Sequence, residues 1–268
     1  MQKNSSPVVI LVRPQMGENI GAVARAMSNF GLRELRIAAP RDGWPNPKAL
    51  EMAAGAESII ESAKIFPDFK AAMADVQLAY ATTARKRDME KRVVEPDVAM
   101  QEIKQLLSSP LPNPPPQAGE GIKIALVFGP ERSGLENDEV TWCDTLITIP
   151  TAPENSSLNI AQSAVILGYE WFRQGTGFIH LRQGFGGQRI QDSGETPESL
   201  APRAEWEGLF GQLEHYLDQA EYFRVAHKKP VMWQNLQTMF LRSQLSSQEV
   251  RTLRGMFRSL WERAPERD

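Results

Sequence analysis

The chain has 268 residues, 41% of them hydrophobic, a formal net charge of -3 and one cysteine, which suits one substantial core plus an appendage. No apolar stretch approaches the ~20 residues of a membrane helix, and the opening MQKNSSPVVILVRP lacks the layout of a secretory signal, so a soluble cytoplasmic protein with no membrane partner is expected. A lone Cys143 excludes a disulfide framework or a cysteine metal site, and His180, His215 and His227 show no ligand spacing, so no metal is expected.

In chain order, Val8 to Val12 is a continuous apolar run fit for a strand covered on both faces, and Ile20 to Phe30 places Ile20, Val23, Ala24 and Met27 at helical spacing. Further strands are expected at Leu35 to Ala38, Val76 to Ala81, Ile124 to Phe128 and Leu146 to Ile149. Helices are expected near Pro47 to Ala54, Phe66 to Ala74, Asp97 to Leu107 and Ser157 to Phe172. The alternation predicts an α/β fold with a parallel sheet. In the last of these helices Ala161, Ala164, Val165 and Gly168 form a small-residue stripe suited to close packing on the sheet or on a second subunit.

Two segments break the alternation. Residues 108–121, SSPLPNPPPQAGEG, are too rich in proline for helix or sheet and read as an exposed insertion. Residues 174–203, rich in glycine and polar residues, read as a flexible linker. From Ala204 the pattern is helical: Leu209, Leu213, Tyr216, Leu217 and Ala220 share a face, as do Leu236, Met239 and Phe240. Ser246 or Ser247 can cap a last helix with Val250, Leu253, Phe257 and Leu260 on one stripe. A small helical domain over 204–268 follows, either folding alone or docking on its neighbour.

Charge is distributed unevenly. Arg85, Lys86, Arg87, Lys91 and Arg92 stand against Asp88 and Glu90. Arg224, Lys228, Lys229, Arg242, Arg251, Arg254, Arg258 and Arg263 stand against Glu221, Glu249 and Glu262. Such tracts can meet phosphates, although a charged helix face is more often simply solvated.

Three segments carry chemistry, each after an apolar run, and in an open parallel sheet such strand-end loops converge on one site. GENIGAVARAMSNFG, Gly17 to Gly31, holds Asn19 and Arg25; a helix cap and a surface arginine would explain them equally well. It lacks the G-x-G-x-x-G fingerprint of dinucleotide sites. IALVFGPERSGL carries Gly129, Glu131 and Gly134 in a loop without the G-K-[ST] ending of a triphosphate site. ITIPTAPENSSLNIAQ brings Ser156, Ser157 and Asn159 to a helix entrance, where capping alone is the plainer account.

Together these segments resemble the three motifs of the SpoU (TrmH) branch of the SPOUT RNA methyltransferases: N-x-G-x-x-x-R at Asn19, Gly21 and Arg25, G-x-E-x-x-G-L at Gly129, Glu131, Gly134 and Leu135, and S-L-N at Ser157, Leu158 and Asn159. ATTAR, Ala81 to Arg85, is similar to a further cofactor-side loop of that family. The resemblance implies a methyltransferase domain over 1–173 whose parallel sheet ends in a trefoil knot, acting as a homodimer. It implies S-adenosyl-L-methionine as cofactor and S-adenosylhomocysteine as product. Thr82, Thr83, Ala84, Gly129, Ile149, Ser156, Ser157, Leu158 and Asn159 would hold the cofactor, while Arg25, Asn19, Glu131 and Ser157 would form the catalytic group.

Gln234 to Phe257 is similar to the tail of bacterial TrmJ-type enzymes, which methylate the ribose 2′-hydroxyl of cytidine or uridine at nucleotide 32 of the tRNA anticodon loop. That resemblance implies tRNA as the partner. Two other readings stay open: the same chemistry on another tRNA or rRNA site, and a non-catalytic RNA-binding member of the fold. The insertions at 108–121 and 174–203 depart from the family pattern and bear on domain spacing, not on the pocket.

Overall fold

The computed structural model describes residues 6–83, 91–108, 122–155, 157–175 and 200–263. Its strands are β1 (Val8–Val12), β2 (Leu35–Ala38), β3 (Lys64–Phe66), β4 (Leu78–Thr82), β5 (Arg92–Val94), β6 (Ile124–Phe128) and β7 (Thr145–Ile147). All pairings are parallel, in the order β3-β2-β1-β6-β4-β7-β5. The apolar runs VVILV and IALVF pair at the centre as β1 and β6 and are wholly buried, as expected of strands covered on both faces. The short β3 and β5 were not expected. Each has three residues with exposed positions at an edge of the sheet, too few to show a period.

The helices are α1 (Gly17–Asn29), α2 (Pro47–Met52), α3 (Glu57–Glu61), α4 (Phe69–Met73), α5 (Pro96–Ser108), α6 (Asn137–Thr141), α7 (Ile160–Gly175), α8 (Arg203–Gln219), α9 (Lys229–Arg242) and α10 (Ser247–Glu262). α3 and α6, five residues each, also lie outside the expected set. α7 begins three residues later than the sequence pattern predicts.

Strand alternation sends Val9, Leu11, Ile37, Leu126 and Phe128 to one face, where α1, α5 and α7 cover them. α2 packs on α1 at close range: a Cβ on Gly21 would lie 2.3 Å from the Ala49 carbonyl oxygen, and one on Gly17 2.3 Å from Asn46 Oδ1. The small-residue stripe of α7 serves packing too, since a Cβ on Gly168 would meet the Phe30 ring at 2.6 Å.

Val8, Ile10, Val12, Ala79, Ala81, Ala125 and Val127 face the other way, onto α4, α6 and the carboxyl-terminal helices, in one continuous cluster. The alanines of β4 and β6 leave room that Trp206, Leu209 and Phe210 of α8 fill, a large-on-small match between layers. The Phe210 ring stands 5.8 Å from Trp142, 5.7 Å from Trp206 and 6.0 Å from Trp233, centroid to centroid. Burying one such ring stabilises the fold by about 1.5–3 kcal/mol. The helical part thus docks and completes the second layer of the sheet. On α9 the buried residues are Thr238 and Leu241; of the three residues grouped on one face, Leu236 and Phe240 are half-buried and Met239 is exposed. Ser246 caps α10 in a reciprocal box with Glu249.

A polar joint accompanies this packing. Arg203, 3% exposed, donates from Nε to the Trp142 carbonyl at 3.0 Å and from Nη2 to Asp144, which also accepts from the Ala79 amide at 2.7 Å. The expected insertion and linker fall mostly on residues 109–121 and 176–199, outside the described residues. No helix among the described residues is long and apolar enough to cross a membrane.

Candidate active site

The carboxyl ends of β6, β4 and β7, neighbours in the sheet, open into a cavity of about 150 Å³. Of the residues expected to hold a cofactor, Thr82, Thr83, Gly129, Ile149, Ser157 and Leu158 line it, together with Glu131 of the expected catalytic group. Ala84 and Ser156 lie outside the described residues. Leu135, named by the sequence as part of the loop motif, joins Phe128, Ile147 and Ile160 in an apolar wall; the sequence did not single out those three, nor Arg132, which also lines the cavity. Arg132 adjoins Glu131 inside the motif itself, which was the available signal.

The three motifs are tied together by side chains. Asn19, in the first turn of α1, donates from Nδ2 to Glu131 Oε1 at 2.7 Å. Asn159 Nδ2 donates to Asn19 Oδ1 at 3.1 Å, and the Gln15 amide donates to Glu131 Oε2 at 3.2 Å. Both oxygens of Glu131 are therefore engaged in holding the strand-end loops to each other. Asn159 also caps α7: its Oδ1 accepts from the Ala161 amide at 2.8 Å while Gln162 Oε1 accepts from the Asn159 amide at 3.1 Å. Asparagine thus caps the helix through the amide of its second residue, while the glutamine three residues on returns to the Asn159 amide, and Ser157 is left exposed at the cavity.

The glycine at the loop's start serves the loop. A Cβ on Gly129 would lie 2.4 Å from the Leu135 amide nitrogen, so its absence lets the loop fold back on itself. Gly134 has φ +65 and its amide closes the turn onto the Pro130 carbonyl at 2.8 Å. The turn runs into α6, whose Glu139 and the capping Glu136 just before it pair with Arg13 just past β1. On the neighbouring strand the Thr83 amide is committed to the Ile147 carbonyl at 3.0 Å and the Thr82 hydroxyl donates to the Val127 carbonyl at 3.3 Å.

Arg25 stands apart. It lies on the exposed side of α1, is not part of the cavity wall, and pairs with none of the described residues. Six residues from Asn19 it is displaced roughly 9 Å along the helix axis. The geometry brings Asn19, Glu131 and Asn159 together and leaves Arg25 facing outward.

The basic tracts are only partly available to a polyanion. Arg85, Lys86 and Arg87 lie outside the described residues. Lys91 is turned inward, its Nζ donating to the Thr141 and Cys143 carbonyls at 2.8 and 2.7 Å, and burial pulls its pKa down to about 8. Arg92 is paired with Glu102, Lys229 with Glu214 and Asp218, and Arg251 with Glu205. Arg224, Lys228 and Arg258 are exposed and pair with none of the described residues. Cys143 is fully buried, and burial pushes its thiol up to about 12, which keeps it inert.

The volume is that of one aromatic ring, and the open cavity combines the apolar wall with the polar Thr82, Thr83, Ser157, Ser163, Glu131 and Arg132. The lining fits an organic methyl donor with a flat ring system. Among the described residues no cluster of His, Cys, Asp or Glu could hold a metal ion.

Residues 6–169 match the SpoU rRNA Methylase family, and residues 204–268 match the C-terminal domain of the tRNA methyltransferase TrmJ. The tRNA (cytidine/uridine-2'-O-)-methyltransferase TrmJ of Sodalis glossinidius is 33% identical over 254 residues, 94% of this chain and 90% of that protein. Its counterpart in Pectobacterium atrosepticum is 32% identical over 253 residues, covering 94% and 95%. The crystal structure of TrmJ from Z. mobilis ZM4 superposes with a TM-score of 0.79 at 41% identity, over 96% of this chain and 99% of that one. A probable methyltransferase from Bordetella pertussis superposes at 0.55 with 31% identity, over 63% and 96%. With its motifs bonded at one sheet edge and these likenesses running the length of the sequence, the chain belongs to the SpoU methylase family and is an RNA methyltransferase of the TrmJ type.

Proposed function

We propose that this chain methylates the ribose 2′-hydroxyl of tRNA, at the cytidine or uridine of nucleotide 32 in the anticodon loop, with S-adenosyl-L-methionine as donor and S-adenosylhomocysteine as product. The observation that carries the reading is the hydrogen-bonded line Asn159, Asn19, Glu131, whose Glu131 end lines a ring-sized cavity at the strand ends. The relatives named as tRNA (cytidine/uridine-2'-O-)-methyltransferases, alike over 94% of this chain, support the choice of RNA.

The donor, when bound, supplies a methyl group already made electrophilic by its sulfonium. The protein's part is to align the ribose oxygen and to assist loss of its proton, and alignment alone can lower a barrier by ~7–11 kcal/mol. Thr82, Thr83, Ala84, Gly129, Ile149 and Ser156 to Asn159 hold the donor. Glu131 and Asn19 keep the loops in register. Ser157 presents its hydroxyl at the cavity. Arg25 works from the substrate side: a guanidinium stays charged at any working pH, so it grips a phosphate and orders the 2′-hydroxyl instead of taking its proton. Its outward position, away from the cavity wall, favours that role.

The reading carries with it a cytoplasmic enzyme whose methyltransferase part, through residue 173, is threaded as a trefoil knot and pairs with a second copy. Val165, Tyr169 and Phe172, all more than two-fifths exposed on α7, the two rings beside Phe30, support such a pairing. The helical part over 204–268 supplies the contact that selects tRNA. Incubating the protein with labelled S-adenosyl-L-methionine and unmodified tRNA, then locating the label by nuclease mapping, tests the proposal. Label on the ribose of nucleotide 32 is expected. Label at another tRNA or rRNA position would move the target, and no transfer to any RNA would leave a binding protein.

A further inference from the structure

The connection between α8 and α9 holds an exposed aromatic ring in a fixed place. α8 ends with Glu221 in the left-handed region, φ +51, the Glu221 amide donating to the Asp218 carbonyl and the Tyr222 amide to the Leu217 carbonyl, each at 3.0 Å. This is the paired closure of a Schellman motif, and it fixes the backbone at Tyr222 directly past the helix. Tyr222 is 48% exposed. Its ring meets Phe223 edge to face at 5.2 Å, Phe223 meets Trp233 at 6.4 Å, and Trp233 meets Phe210 at 6.0 Å. An exposed tyrosine is therefore the outer end of a ring ladder rooted in the core shared with the sheet.

Its surroundings are cationic. Arg224 and Lys228 are exposed and unpaired among the described residues, and His227 is exposed; Glu221 is the adjacent carboxylate. Lys229, which packs over the Phe223 ring, is already neutralised by Glu214 and Asp218. The ladder is also tied to the pocket side of the molecule, because Gln234 of α9 donates to Asp138 of α6, the helix that the Gly129–Leu135 loop runs into.

Resting on the tRNA reading, we propose that Tyr222 is a stacking platform for an unpaired base of the RNA substrate, with Arg224 and Lys228 on the flanking phosphates. Every base has a flat face that stacks on an aromatic ring, and single-stranded segments are held by this pairing of rings with cations. A platform of this kind takes a looped-out or loop nucleotide, not a duplex.

The test uses the full-length chain, an unmodified tRNA transcript and an anticodon stem-loop carrying 2-aminopurine at successive loop positions. Tyr222→Ala is expected to weaken binding of both RNAs roughly 5- to 150-fold, the range of one base–ring stack, while Tyr222→Phe and Tyr222→Trp stay near the parent. Tyr222→Leu, which keeps apolar packing without a ring face, should behave like Tyr222→Ala. The salt dependence of affinity should keep its slope in Tyr222→Ala and lose about 0.7 per phosphate contact in Arg224→Ala or Lys228→Ala. One loop position should show quenched 2-aminopurine fluorescence with the parent and with Tyr222→Phe, but not with Tyr222→Ala. Affinity within two-fold of the parent and intact quenching in Tyr222→Ala, alongside normal methylation by the parent, would overturn the platform alone. A change of oligomeric state in Tyr222→Ala in place of a change in RNA affinity would assign the ring to a protein contact and overturn it too. Failure of the parent itself to bind or methylate tRNA would remove the functional reading and the platform with it.

Discussion

Replacing Arg203 by methionine tests how firmly the helical part is joined to the sheet. The side chains of Arg203 and Asp144 are 3% and 7% exposed, so little solvent screens the pair, and the arginine also satisfies the Trp142 carbonyl. Breaking a buried pair by removing one partner costs about 3–5 kcal/mol. Asp144 keeps the Ala79 amide as a donor, which puts the expected loss near the lower figure, about 3 kcal/mol. For a protein of this size each kcal/mol lowers Tm by roughly 2–4 °C, so Arg203→Met should melt roughly 6–12 °C below the parent. Because Trp206, Leu209 and Phe210 share one apolar cluster with β1, β4 and β6, both proteins should unfold in a single transition. Calorimetry and urea unfolding measure this, and a cycle with Asp144→Asn isolates the pair. A Tm change under 2 °C, a coupling energy near zero, or two separate transitions in the parent would refute the account of the joint.

Four further outcomes follow. Arg25→Ala should abolish methyl transfer while donor affinity, read by calorimetric titration, stays close to the parent; a matching loss of donor affinity would take Arg25 off the substrate side. In Asn159→Ala the order reverses, with donor affinity falling first, and α7 also loses its cap, worth about 1 kcal/mol. Asp75 is held well below the usual carboxylate range: burial works against its ionisation, but hydrogen bonds from Arg36 and Lys123 outweigh it. Its contribution is therefore complete above about pH 4 and lost as pH falls through the depressed value, so Asp75→Asn should cost about 1–2 kcal/mol at pH 7, discounted for its half exposure, and progressively less in urea titrations below pH 4. Glu221→Gly should raise stability by about 0.5–1 kcal/mol, since glycine takes the left-handed backbone of that helix end without strain; a loss would mean the Glu221 side chain has a contact of its own to give up.

The centre of the fold was legible because its strands are continuous apolar runs: Val8–Val12, Leu35–Ala38 and Ile124–Phe128 form strands with the expected bounds. The edges were not, because Lys64–Phe66 and Arg92–Val94 take their strand geometry from the neighbour they pair with and carry no pattern of their own. Burial along α9 was not legible for a related reason. Helical periodicity gives a face but not which neighbour arrives, and on α9 that neighbour leaves Leu241 inside and Met239 out. At the site, residue types and spacing identified Asn19, Glu131 and Asn159, but only three dimensions show that they bond to each other. The same limit hid the inward turn of Lys91, whose partners are main-chain carbonyls of a distant segment.

The bond between Asn159 and Asn19 joins residues 140 positions apart. On a ribosome adding about 5–20 residues per second, Asn19 waits roughly 7–28 s for its partner to be made. Until β6, its other neighbour, is made at Ile124–Phe128, β1 has at most β2 beside it and one rim of VVILV is bare. Contacts this distant in sequence slow folding, and an open apolar strand edge invites pairing with other chains. A pocket whose walls run from Thr82 to Ser163 is assembled only after that apolar edge has been covered, so the order of synthesis exposes the strand before it completes the site.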